Sequence, residues 1–145
     1  MNPPSSGASI RLRVLLVESN PADAYLTVDA LKQAGLTEQV AVVDDSAKAL
    51  ELLGQDGARP DLVLLDLNVA PLSGLELLSR IRSDQKLGSL PVVIVSGSEN
   101  KDDVRRAYEL RANCYITKPA KLDEFLRCMK TCYEFWGTVA TLPTK

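Results

Sequence analysis

Five short runs of mostly apolar residues recur along the chain, and longer amphipathic segments separate them. The runs cover residues 12–17, 40–43, 62–65, 91–95 and 114–117. Their apolar positions are nearly continuous rather than alternating with polar ones, which is typical of strands that are buried on both faces. The pattern therefore predicts five strands of a parallel sheet whose two faces are covered by helices.

The segments between these runs carry the signals of helix beginnings and ends. Asn20 can cap a first helix, Pro21 suits its first position, and Gly35 stops it. Further helices are expected at about 47–53, 75–81, 101–110 and 122–136. Strict alternation of strand and helix with right-handed crossovers predicts one α/β domain, a doubly wound sandwich of three layers.

Composition limits the classes of partner. The chain has 145 residues and a net charge of -2, which gives no indication of a nucleic-acid partner. No apolar segment approaches the roughly 20 residues of a membrane-spanning helix, so no membrane partner is expected. Residues 1–10 are rich in Pro, Ser and Gly without the apolar region of a signal peptide. We interpret them as a flexible leader and expect a cytoplasmic protein.

The chain contains no histidine. This excludes Ser-His-Asp and Cys-His nucleophilic sites, histidine-ligated metals and an autophosphorylating histidine within the chain. Cys114, Cys128 and Cys132 form an odd set without an export signal, so we interpret them as reduced, small apolar side chains. Any chemistry must therefore rest on carboxylates, hydroxyls and lysines.

Chemically capable side chains follow the predicted strands. Glu18 and Ser19 come after the first strand, Asp66 after the third, and Lys118 after the fifth, while Ser96 ends the fourth. In a parallel sheet these carboxyl ends lie at one edge, near the point where the strand order switches. Asp44 and Asp45 follow the second strand and are interpreted as helix caps.

Such a constellation suits phosphoryl chemistry. Converging carboxylates can hold Mg²⁺, which favours oxygen ligands and retained waters. A metal beside Asp66 would leave one carboxylate oxygen as a nucleophile, and Lys118 and Ser96 would bind the oxygens of a phosphoryl group placed on it. The product would be an acyl phosphate on Asp66.

The segments around these residues resemble the response-regulator receiver domain of two-component signalling. The matching segments are VLLVE at 14–18, LLDLN at 64–68, VS at 95–96 and YITKP at 115–119. The resemblance covers about residues 11–135 and implies a flavodoxin-like sheet of strand order 2-1-3-4-5. A C-terminal extension, 136–145, follows the receiver domain. Further segments resemble the small single-domain regulators partnered with phytochrome-type histidine kinases: DDV at 102–104, AYEL at 107–110, NCY at 113–115, FW at 135–136 and TLP at 141–143.

The resemblance implies a role for each site residue. Asp66 matches the phosphoacceptor, Lys118 the lysine that contacts the phosphoryl group, Ser96 the switch hydroxyl and Tyr115 the switch aromatic. Mg²⁺ would be held by Glu18, Asp66 and the backbone carbonyl of Asn68. The resemblance also implies a cis bond between Lys118 and Pro119, and a sensor histidine kinase, of the phytochrome type, as partner.

One position departs from the family pattern in a way that bears on the metal. The family's first strand ends in two acids, whereas this chain has Glu18 followed by Ser19. A missing carboxylate beside a divalent ion weakens its binding by an amount on the order of a few kcal/mol. Two hypotheses follow: a phosphorylation-competent regulator with reduced Mg²⁺ affinity, and a degenerate receiver that binds proteins without efficient phosphorylation. The loop after Asp66 also differs, with Pro71 displaced by one position and Ser73 in place of an acid before Gly74.

Two other classes share parts of this pattern. An aspartyl-nucleophile phosphatase uses the same chemistry, but it normally has a second acid where this chain has Asn68. A flavodoxin-like FMN carrier would have a phosphate loop rich in Ser, Thr and Gly after the first strand, and residues 18–21 (ESNP) do not resemble one. We expect a regulator rather than an enzyme.

The last helix is unusually aromatic. Its apolar stripe is wider than one sheet face can cover, and part of it is expected on a partner surface. The stripe contains Leu122, Phe125, Leu126, Met129 and Tyr133, widened by Cys128, Cys132 and Phe135. With the resemblance, this predicts a homodimer through the fourth and fifth helices, extended by the C-terminal residues. The charged helix at 101–111 is interpreted first as a solvated face, with dimer ion pairs as the alternative.

Overall fold

The computed structural model describes residues 11–36, 40–57 and 59–143. The strands are β1 (Val14–Val17), β2 (Ala41–Val43), β3 (Leu62–Leu65), β4 (Val92–Ser96) and β5 (Cys114–Thr117). The helices are α1 (Pro21–Gln33), α2 (Ser46–Leu53), α3 (Gly74–Ser83), α4 (Lys101–Glu109) and α5 (Leu122–Glu134). A π-helical turn (Phe135–Val139) follows α5. The predicted leader, 1–10, lies outside the described residues.

All five strands are parallel and run in the order β2-β1-β3-β4-β5, so the predicted fold is confirmed. Alternate residues of each central strand point to opposite faces. On one face Leu15, Val63 and Ile94 belong to a core shared with α2, α3 and α4. On the other face Leu16 and Leu64 pack with α1 and α5. The central strands are therefore buried on both sides, as their continuous apolar sequences predict.

The prediction that every strand is buried on both faces is wrong for β2. Val42 is 45% exposed because β2 is an edge strand with one neighbour, β1. The apolar stripe of α5 is only partly buried: Leu122 is 56% exposed, and the buried part of the stripe starts at Phe125. The core contacts of α5 are made by Phe125, Met129 and Tyr133.

Helix beginnings follow the capping residues of the sequence. The Asn20 side chain accepts a hydrogen bond from the first turn of α1, and the Asp45 side chain does the same for α2. Ser73 caps α3 through a reciprocal pair of hydrogen bonds with Glu76. A capping hydroxyl therefore occupies the position before Gly74, where the family pattern has an acid.

The C-terminal end of α5 differs from the prediction of a regular helix to residue 136. The α-helix ends at Glu134, and the chain continues in the π-helical turn before it becomes extended at Ala140. The Ala140 N–H donates to the Phe135 carbonyl (2.9 Å), and the Thr138 hydroxyl donates to the Glu134 carbonyl (2.6 Å). These bonds satisfy carbonyls that a simple helix end leaves free. In the described part of the chain, no helix has the length and apolar character needed to cross a membrane.

Candidate functional site

The register of the sheet brings the two central acids together. Val17 of β1 pairs with Leu65 of β3, so the residues that follow, Glu18 and Asp66, are neighbours at the carboxyl edge of the sheet. The Asp66 N–H donates to the Val17 carbonyl (3.0 Å), which continues the ladder up to the acid. Both side chains are buried. Two carboxylates in a buried position require a cation or protons to balance them.

The ammonium group of Lys118 supplies that cation. Lys118 follows β5, and its backbone N–H donates to the Ser96 carbonyl (2.8 Å). Its Nζ lies 2.8 Å from Glu18 Oε1, 2.8 Å from Asp23 Oδ2 and 3.5 Å from Asp66 Oδ2. The Lys118 side chain is only 13% exposed. One largely buried ammonium therefore faces three carboxylates.

Burial and charge perturb the titration of this cluster. Burial raises the pKa of Glu18, the hydrogen bond from Lys118 lowers it, and the neighbouring Asp66 raises it, with a resulting value of about 7. Burial acts to lower the pKa of Lys118, but its hydrogen bonds to Asp23 and Glu18 outweigh burial and leave the pKa raised. Lys118 therefore stays charged, and Glu18 exchanges a proton near neutral pH.

A tight turn after β3 fixes the backbone of Asp66. Asp66 Oδ1 accepts a hydrogen bond from the Asn68 N–H (3.3 Å), and the Gly74 N–H donates to the Leu67 carbonyl (3.0 Å). A Cβ atom on Gly74 would lie 2.5 Å from the Asp66 carbonyl oxygen. Only glycine allows this approach, so the first residue of α3 packs directly against the backbone of the acid.

Ser19 interacts with a group that the sequence assigns to the metal. Its hydroxyl donates to the Asn68 carbonyl oxygen (3.1 Å). Glu18, Asp66 and this carbonyl are the oxygen donors that Mg²⁺ prefers, so the donor chemistry suits the ion. Over residues 11–36, 40–57 and 59–143, however, no three Cys, Asp or Glu side chains gather closely enough to hold a metal by themselves. The site is short of one acid at Ser19, and its carboxylates converge on Lys118.

A second network ties the loop between β4 and α4 to its surroundings. Ser96 is fully buried, and its Oγ accepts a hydrogen bond from the Ser98 N–H (3.2 Å). The Tyr115 hydroxyl donates to the Ser98 carbonyl (2.9 Å). The Ser98 hydroxyl donates to Asp103 Oδ2 on α4 (2.6 Å). Ser98 therefore bonds both to Ser96, the predicted switch hydroxyl, and to Tyr115, the predicted switch aromatic. Neither bond joins Ser96 directly to Tyr115.

The structure brings together Glu18, Asp66 and Lys118 as the strand-end argument predicts. Sequence reasoning missed Asp23, which lies in the first turn of α1. The signal was present, because a helix that begins three residues after Glu18 must place its first turn beside the same sheet edge. Asp103 and Ser98 were also missed, since nothing in their spacing marks a hydrogen bond between them.

The predicted cis bond between Lys118 and Pro119 is wrong. In the described residues the cis peptide bond is Ala70–Pro71, and Lys118–Pro119 is trans. Trans is the lower-energy isomer of an X-Pro bond. The Lys118 side chain reaches all three carboxylates with this isomer.

Comparison with known proteins identifies the family of the chain. A family model for the response regulator receiver domain matches residues 14–130. The chain belongs to the response regulator receiver domain family. Receiver domains are signalling modules that partner with histidine kinases and bind divalent metal ions.

The relatives of this receiver domain include regulators of phytochrome signalling. It is 36% identical over 135 residues to the response regulator Rcp1 of Synechocystis sp. (strain ATCC 27184 / PCC 6803 / Kazusa), a match that covers 90% of this chain and 92% of Rcp1. The crystal structure of the phosphorylated cyanobacterial phytochrome response regulator RcpA superposes with a TM-score of 0.88 at 41% identity, covering 92% of this chain and 99% of RcpA. The Mn²⁺-bound form of Rcp1 superposes with a TM-score of 0.85 at 36% identity, with the same coverage.

Proposed function

We propose that this receiver domain accepts a phosphoryl group on Asp66 from a sensor histidine kinase of the phytochrome type and passes the signal on through protein contacts. The observation that carries the proposal is the buried Asp66 carboxylate beside the Lys118 ammonium, 3.5 Å away, at the carboxyl edge of the sheet. The similarity to RcpA, whose structure is that of a phosphorylated phytochrome response regulator, supports it.

In the proposed step, a carboxylate oxygen of Asp66 attacks the phosphorus of a kinase phosphohistidine. The O–P bond forms as the P–N bond breaks, and the electron pair of the P–N bond remains on the imidazole nitrogen. The other ring nitrogen carries a proton, so the kinase histidine leaves as neutral imidazole. Lys118 would bind an oxygen of the new acyl phosphate, and the Ser96 hydroxyl would bind another. Tyr115 would respond through its hydrogen bond to Ser98, because Ser96 and Tyr115 both contact that residue.

Mg²⁺ is the proposed cofactor, held by Glu18, Asp66 and the Asn68 carbonyl and weakened by Ser19. When bound, the ion would screen the charge of the incoming phosphoryl group. The Ser19 hydroxyl carries no charge, and it donates to the Asn68 carbonyl (3.1 Å), a bond that competes with coordination of that oxygen. We therefore expect weaker metal binding than in a receiver with two adjacent acids.

Two surfaces support the proposed partners. A cleft of about 230 Å³ leads to Lys118 between α1 and the start of α5, and the exposed Leu122 lines it, which suits a docking kinase. A groove of about 740 Å³ lies between β5 and α5, with Ile116 and Trp136 in its lining. Tyr108 on α4 is also exposed.

These features support a homodimer through α4 and α5, extended by residues 136–143, since a closed two-fold dimer is the commonest oligomer. The cytoplasm is the proposed compartment, because Cys114, Cys128 and Cys132 are free thiols.

Intact-mass analysis tests the phosphoacceptor. The protein is incubated with acetyl phosphate, with and without Mg²⁺, and we expect a gain of about 80 Da, one phosphoryl group, that requires Mg²⁺. The control, Asp66→Asn, replaces the nucleophile by an amide of the same shape and should show no gain. Ser19→Asp restores the missing acid and should lower the Mg²⁺ concentration that is needed. No gain in a folded wild-type protein at saturating donor would instead support the degenerate receiver.

A further inference from the structure

Asp23 is an acid of the site whose position is fixed by the start of α1. Its backbone N–H donates to the Asn20 side chain (3.1 Å), and its carbonyl accepts the Thr27 hydroxyl (2.8 Å). These two bonds fix the backbone of Asp23 in the first turn of the helix. The Asp23 carboxylate, one third exposed, reaches the Lys118 ammonium at 2.8 Å.

The distances around the ammonium are unequal. Lys118 lies 2.8 Å from Glu18 and from Asp23, but 3.5 Å from Asp66, which is beyond an ordinary charge-assisted hydrogen bond. An ammonium has three N–H donors, and two of them are committed to the closer carboxylates. Glu18 directly follows the strand β1, whereas Asp23 lies in the first turn of α1. Asp23 is thus a partner that competes with Asp66 for the same cation.

We propose that Asp23 is a positioning residue that holds the Lys118 ammonium off Asp66 until a phosphoryl group arrives. This inference rests on the proposed function of Asp66 as phosphoacceptor. A phosphoryl group on Asp66 offers Lys118 oxygens of higher charge than the free carboxylate does. The ammonium then gives up its bond to Asp23, and the strength of that bond sets how readily the phosphoryl state forms.

Binding of beryllofluoride, a mimic of the phosphoryl group, tests this coupling. In the presence of Mg²⁺, Asp23→Asn should bind beryllofluoride about fivefold more tightly, because Lys118 no longer leaves an ion pair. Asp23→Glu keeps the charge and should behave as the wild type. Asp29→Asn removes a charge two turns further along α1 and should change nothing.

A double-mutant cycle separates positioning from simple repulsion between Asp23 and the anion. In a Lys118→Gln background, Asp23→Asn should leave beryllofluoride affinity unchanged, since the residue through which it acts is gone. An equal gain of affinity with and without Lys118 would overturn the inference, because it would show that Asp23 acts on the anion directly.

A measurement without metal or phosphoryl mimic distinguishes failure of the inference from failure of the proposed function. The ¹³C chemical shift of the Asp66 carboxyl carbon reports whether the ammonium has approached it. Asp23→Asn should move this signal and Asp29→Asn should not, with Asp23→Ser as a second variant if the first does not fold. A shift that responds to Lys118→Gln but not to Asp23→Asn overturns the inference. A shift that responds, in a protein that accepts no phosphoryl group, overturns the phosphoacceptor proposal and shows only that Asp23 holds the ammonium away from Asp66.

Discussion

Glu18→Gln isolates the free-energy cost of the buried acid at the end of β1. The Glu18 side chain is nearly inaccessible to solvent, and its pKa rises from 4.5 to about 7, chiefly because of burial and despite the hydrogen bond from Lys118. Glutamine has the shape of the protonated acid and does not titrate. The Glu18→Gln variant should therefore lack the pH dependence of stability that Glu18 contributes.

The sign follows from where the proton resides. Between pH 4.5 and about 7 the folded protein retains a proton that the unfolded chain has released. The unfolded state binds fewer protons, so the free energy of unfolding falls as pH rises through this window. With about 1.4 kcal/mol for each unit of pKa difference, the loss between pH 5 and pH 8 is about 2–3 kcal/mol.

Urea unfolding in EDTA at pH 5, 6, 7 and 8 measures this loss for the wild type and for Glu18→Gln. Carboxylates elsewhere titrate in both proteins, so their effects cancel in the difference between the two curves. We expect the wild type to lose about 2–3 kcal/mol relative to the variant as pH rises. Asp29→Asn, a more accessible change on α1, should follow the wild type. Parallel curves for wild type and Glu18→Gln would show that Lys118 compensates burial fully and would refute the reasoning.

Two further predictions concern packing and assembly. Gly74→Ala should lower the free energy of unfolding by about 1–3 kcal/mol in urea, since its Cβ would meet the Asp66 carbonyl at 2.5 Å. Gly54→Ala, where the nearest atom would be 3.4 Å away, should be neutral or stabilising; equal losses for both would contradict the steric argument. In sedimentation velocity at micromolar concentration the wild type should be a dimer. The double variant Phe135→Ser and Val139→Ser, which changes two exposed apolar side chains, should be a monomer. A monomeric wild type would remove the dimer proposal.

Much of the site was accessible from sequence because it depends on topology rather than on side-chain detail. Once five apolar runs alternate with helices, parallel strands place Glu18, Asp66 and Lys118 at one edge, whatever the loops do. The carboxylates that pair with Lys118 could not be predicted from the sequence. The Lys118 Nζ lies 0.7 Å closer to the carboxylates of Asp23 and Glu18 than to that of Asp66, and these distances depend on where α1 packs.

The helix ends show the same division. Asn20, Asp45 and Ser73 act as caps because a cap needs only local residues, which the sequence displays. The exposure of Val42 depends on the position of β2 at the edge of the sheet. The apolar sequence of β2 does not distinguish it from a buried strand.

The sequence by itself determined the order of the elements, the parallel sheet and the identity of the acids and the lysine at its edge. Hydrophobic periodicity and capping are local, and the crossover rule converts them into topology. Tertiary structure alone decided that the Lys118 ammonium contacts three carboxylates and that the Ser19 hydroxyl donates to the Asn68 carbonyl. It also decided that Gly74 packs against the Asp66 backbone without space for a side chain. Electrostatic and steric terms change over tenths of an ångström, and these separations are set only when distant elements pack together.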